Sequence, residues 1–118
     1  MAAEPFLYAI VRVVPRVERG ECLNAGVVLL CRPRRFLGAI TALDPSCDPG
    51  DVRAHLGAIE RIAAGEDASG PIGRLSQPER FHWLVAPSST IIQPSEVHTG
   101  LTEDPAAELA HLFAGLVE

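Results

Sequence analysis

Residues 25–43 read AGVVLLCRPRRFLGAITAL, and the reading of this stretch decides the fold. Two apolar runs, each of strand length, flank a four-residue break in which Pro33 presets one backbone angle and three arginines keep the chain at the surface. The spacing predicts a strand over 25–32, a tight turn, and a second strand running on to Leu43. Upstream, FLYAIVRVV at 6–14 is rich in aromatic and β-branched residues and is stopped by Pro15. Three sequential strands joined by short connections predict an antiparallel meander.

Downstream of DPSCDPGD the period changes from two to 3.6. Val52, Leu56, Ile59 and Ile62 or Ala63 recur on one face, with Asp48 and Pro49 placed as a helix start, which predicts a helix over roughly 49–64. The segment GEDASGPIG after it predicts a helix stop at Gly65 and a flexible internal loop over about 65–77. Ser76 and Glu79 have capping-box spacing and open a short helix through ERFHWL. STIIQ at 89–93 reads as a further short strand ended by Pro94. Asp104 and Pro105 then start a C-terminal helix carrying Leu109, Leu112, Phe113 and Leu116. The expected class is α+β: a small antiparallel sheet, a three-stranded meander plus a later short strand, packed with two main helices and one short one. With 118 residues and 47% apolar side chains, a single domain over 1–118 is expected.

The strands are apolar at both alternations, as in Phe6, Tyr8, Ile10 against Leu7, Ala9, Val11, so both faces of the sheet should be covered. Two good amphipathic helices and a short one leave part of that surface over. This predicts a homodimer or a protein hetero-partner.

Composition excludes several chemistries. All ten basic residues are arginine, which removes a P-loop lysine, a Schiff-base lysine and a pyridoxal phosphate anchor. Cys22, Cys31 and Cys47 have no CxxC spacing, and His55, His82, His98 and His111 stand singly, so neither a disulfide framework nor a metal site is expected. No G-x-S-x-G elbow, phosphate-binding glycine run or HExxH helix occurs, so the reading leans away from an enzyme and expects no cofactor. The longest apolar run is far too short to span a bilayer and no signal-peptide pattern opens the chain, which points to a cytoplasmic protein. Residues 12–35 hold six arginines against two glutamates, a local +4 in a chain of net charge -5. One short basic cluster in an acidic chain with six aromatics is not a nucleic-acid footprint.

Two stretches remain as candidate sites. In RVERGECLNAGVVLL at 16–30, Arg16, Arg19 and Asn24 could present donors to a carboxylate or phosphate while Glu21 orients an arginine; equally, the charges and Asn24 could build the loop itself. Around His98 and Thr99, polar groups border a short apolar strand, where turn formation and capping compete with a general-base role for His98.

The stretches YAIVRVVPRVERGECLNAGVVLL and ERFHWLVAPSSTIIQPSEVHTGLTEDPAAELAHLF together resemble the bacterial family of domain of unknown function 3037. Its signature RGExxNxGVVL corresponds to Arg19, Gly20, Glu21, Asn24, Gly26 and Val27 to Leu29, and its HTGL segment to His98, Thr99, Gly100 and Leu101. The resemblance implies no particular reaction. Its members tend to be encoded beside HipA-like kinases, which implies a protein partner of that kind. The expected function is a non-catalytic adaptor or accessory module; the alternative is a small anion- or ligand-binding protein, or an enzyme, with its site between the RGE loop and the HTG segment.

Overall fold

The computed structural model describes residues 3–13, 23–42, 52–65, 71–86 and 92–117. Its elements in chain order are strands β1 (Glu4–Val13), β2 (Leu23–Cys31) and β3 (Phe36–Thr41), helix α1 (Val52–Ala64), helix α2 (Gln77–Val85), strands β4 (Ile92–Pro94) and β5 (His98–Thr102), and helix α3 (Pro105–Leu116). The class is α+β, with an antiparallel sheet ordered β3-β2-β1-β4 and β5 also on β1.

The β2–β3 hairpin is the one that AGVVLLCRPRRFLGAITAL predicts. Arg32 to Arg35 form its turn, closed by the Arg35 N–H on the Arg32 carbonyl at 3.0 Å, with Arg35 at a φ of 50°. Gly26 sits opposite Thr41, and a Cβ there would stand 2.8 Å from the Ile40 carbonyl oxygen and from the Thr41 methyl. Only glycine lets the two strands approach this closely. Between β1 and β2 the register slips by one: Val11 faces Gly26 but Arg12 faces Asn24, so Ala25 is the extra residue of a bulge. Its carbonyl is taken up by the Ala42 N–H at 2.8 Å.

The sequence reading places one short strand after α2, whereas the structure has two, and they share the second edge of β1. β4 covers Val11 to Val13 and β5 covers Glu4 to Tyr8. Between them Ala9 and Ile10 of β1 face three residues, Ser95, Glu96 and Val97. Ser95 fills the gap twice over: its N–H donates to the Ile10 carbonyl and its Oγ accepts from the Ile10 N–H, both at 2.8 Å. HTGLT lacks the apolar alternation of a strand, and cross-strand packing holds it in place. Gly100 lies beneath the Phe6 ring, where a Cβ would come within 2.6 Å of the ring, and His98 packs on Tyr8 with ring centroids 5.1 Å apart. Thr102 is buried, and its Oγ1 accepts from the Asp104 N–H at 3.1 Å.

Helices cover the sheet from both sides. On one face Val52, Leu56, Ile59, Ile62 and Ala63 of α1, with Phe81 and Leu84 of α2, pack on Val11, Val13, Val28 and Leu30. On the other, Leu109 and Phe113 of α3 pack on Phe6, Val27, Leu29 and Cys31. Glu60 of α1 ties that helix to the end of β3 by accepting from the Thr41 N–H at 2.9 Å and from its hydroxyl. The Gly65 N–H reaches the Arg61 and Ile62 carbonyls, closing α1 as expected. The Asp48 cap lies outside the described residues. So do residues 66–70 of the segment read as a flexible loop; Pro71–Arg74 beyond them form a single 3-10 turn that leads into α2.

α2 and α3 start as their cap residues dictate. Ser76 Oγ accepts from the Glu79 N–H at 3.4 Å and donates to the Glu79 carboxylate at 2.7 Å. Asp104 accepts from the Ala107 N–H at 3.1 Å. Among the described residues, no helix is long and apolar enough to cross a membrane.

Candidate functional site

Of the six residues singled out from the sequence, Arg16, Arg19 and Glu21 lie outside the described residues. Of the described residues that flank them in sequence, Arg12 and Asn24 form a cross-strand row with Gln93. Asn24 has a structural task in that row. Its Nδ2 donates at 3.0 Å to the carbonyl of Leu116, so it holds the last turn of α3, one of the terminal carbonyls that a helix cannot satisfy internally. Arg12 bridges to the edge strand, with Nε 3.2 Å from the Gln93 carbonyl and Nη2 3.3 Å from that of Pro94.

His98 lies on the same face of the sheet as Asn24, opposite Tyr8, while Asn24 is opposite Arg12. Their partners Tyr8 and Arg12 are four positions apart on β1, an offset of about 13 Å at the usual strand rise, and the two residues lie on opposite sides of that strand. Thr99 is opposite Leu7 and points through the other face, where it lines a small hollow of about 150 Å³ with Leu7, Leu30 and Pro33. Thus Asn24 and His98 share a face without meeting, and Thr99 is directed away from both. Among the described residues His98 has an aromatic neighbour but no carboxylate or serine to orient it as a base. No group of three metal-ligating side chains gathers among them either.

A different surface has the shape of a recognition site. In α2 the inward residues are Phe81 and Leu84, so Trp83 is out of phase with the core and 45% exposed. Pro78, His82 and Ala86 recur at four-residue intervals on that outer side and, with Leu75, Glu79 and Trp83, line an open cleft of about 550 Å³. Its lining is mainly apolar, and the Glu79 carboxylate at its rim is engaged by the Ser76 hydroxyl.

The start of α2 also borders a second hollow of about 440 Å³, lined by Arg32, Arg35, Gln77 and Pro78. Pro78 belongs to both, so the apolar cleft and the arginine turn adjoin. Gln77 holds them in register: its Nε2 donates at 2.9 Å to the Arg35 carbonyl, joining the β2–β3 turn to the first turn of α2. Among the described residues none of Arg32, Arg34 and Arg35 has a carboxylate partner. The sequence contains a signal for this surface, since a tryptophan falling between Phe81 and Leu84 cannot share their face. That the arginine turn would lie beside it depends on a contact across 42 residues of chain.

The chain belongs to the family described as Protein of unknown function (DUF3037), whose model matches residues 8–117, a span that includes both the RGE and the HTG segments. No curated protein and no solved structure matches it.

Proposed function

We propose that this DUF3037 member is a non-catalytic accessory module that binds a protein partner, and that the outer side of α2 is where the partner docks. The observation that carries this reading is Trp83. It is the chain's single tryptophan, and it stands 45% exposed over an apolar cleft of about 550 Å³. Leaving an indole in water forgoes a large part of its transfer free energy, and tryptophans at protein surfaces are enriched where most of a binding energy is concentrated. A HipA-like kinase is the candidate partner that the family resemblance implies.

Co-expression with the product of a neighbouring HipA-like kinase gene, followed by co-purification and titration, tests the reading. Trp83→Ala is expected to weaken the complex by about 2 kcal/mol, roughly 30-fold in Kd, while the unfolding midpoint changes little. A complex that Trp83→Ala leaves intact would move the partner to another surface. A chain that forms no complex with another protein would remove the reading altogether.

A further inference from the structure

We infer that the segment recognised by this surface is acidic: an apolar side chain enters the cleft beside Trp83, and a neighbouring carboxylate is bound by Arg32 and Arg35. The inference rests on the proposed docking role of α2 and adds the chemistry of what docks.

Three observations support it. The first is adjacency, since the apolar cleft and the arginine-lined hollow share Pro78. An extended chain advances about 3.3 Å per residue, so side chains one to three positions apart can enter both at once. The second is charge. The β2–β3 turn carries Arg32, Arg34 and Arg35 with no carboxylate partner among the described residues, whereas most of the molecule's surface charge is negative at a net of -5. A guanidinium is weakly hydrated and grips carboxylates with two parallel hydrogen bonds, so two arginines facing one hollow favour an acid over any neutral group.

The third is preorganisation. The turn is closed by the hydrogen bond from Arg35 to Arg32 and anchored to α2 by Gln77, so little backbone freedom is left to lose on binding. The site also has a polarity. Glu79 is at the cleft and would repel a carboxylate there, which directs the acidic residues of the segment toward the turn and the apolar residue toward Trp83.

The probe is a library of random linear peptides displayed on phage and selected on the immobilised full chain. Parallel selections use the Arg32→Gln/Arg35→Gln double variant and, as a control for charge alone, Arg61→Gln on the exposed side of α1. Peptides selected on the parent chain and on Arg61→Gln should be enriched in Asp or Glu within three positions of a Leu, Phe or Trp. That enrichment should vanish on the double variant. For an individual selected peptide, followed by Trp83 fluorescence, the double substitution should raise Kd by roughly tenfold and flatten its dependence on salt. Selected peptides without acidic bias, a bias that survives the double substitution, or a failure to select any peptide would each overturn the inference. In all three cases a kinase complex that still depends on Trp83 would leave the docking role standing. Self-association that the double variant abolishes would identify the occupant as a second copy and overturn the inference likewise.

Discussion

The two faces of the sheet are covered unequally. Among the described residues, fourteen buried side chains form the core under α1 and α2, against six under α3. Two helices spread over the first face, whereas α3 packs over β2 and β3 and leaves the β1–β5 side to rings: Phe6 over Gly100, Tyr8 beside Phe6 at 5.9 Å, and His98 beside Tyr8. A face short of helix can still be closed by aromatics on a central strand leaning across a glycine on the edge. This accounts for the HTG segment, whose histidine and glycine are held by packing within the described fold.

The largest expected effect tests the inequality directly. Leu56→Ala, in the α1 core, should lower stability by about 4 kcal/mol, and Leu109→Ala, under α3, by about 2.5 kcal/mol, because the more open side can relax around the void. Urea unfolding with an unchanged m-value is the measurement, and equal losses would show that one helix holds its face as firmly as two.

Gly100→Ala is next, at about 2 kcal/mol, since its methyl must displace a buried ring. Pairing it with Phe6→Leu in a double-mutant cycle should recover most of that loss; additive losses would mean that the ring is not what the glycine accommodates. Ser95→Ala should follow at about 1 to 2 kcal/mol, because the Ile10 N–H loses its acceptor within a half-buried strand. Hydrogen exchange at Ile10 should accelerate while exchange at Val28 does not. The smallest effect expected is for Asn24→Ala, about 1 kcal/mol or less at an exposed position, appearing as faster exchange in the last turn of α3. If that turn is unaffected, Asn24 returns to the set of residues available for binding.

Much of this architecture can be read directly from the residues. The hairpin at 25–43 and the helices bearing Leu56 and Leu109 announce themselves because their apolar period matches their geometry. β5 does not, because HTGLT shows no apolar alternation and owes its place to the rings of Phe6 and Tyr8, ninety or more residues earlier. Asn24 illustrates the same limit: its partner, the Leu116 carbonyl, is 92 residues away, so its local surroundings invite a binding role that the fold does not require. The Trp83 surface lies between these cases. The phase of α2 shows that the indole is outside the core, but only the tertiary contact from Gln77 to Arg35 places the arginines beside it.

The shared edge of β1 also constrains how the chain is made. The partner of β1 on one edge, β2, is complete at Cys31, yet the second edge of β1 is matched only by residues 92–102, and Glu4 finds its counterpart in Thr102. Until synthesis has passed that point, a ten-residue strand stands with a row of bare amides and carbonyls along one side, the kind of edge that neighbouring nascent chains pair with. Closing it requires contacts of far higher sequence separation than the β1–β2 pairing, and so a larger loop-closure cost. Chains that end before Ile92 should accordingly collect as aggregates even though their first hairpin and α1 are complete.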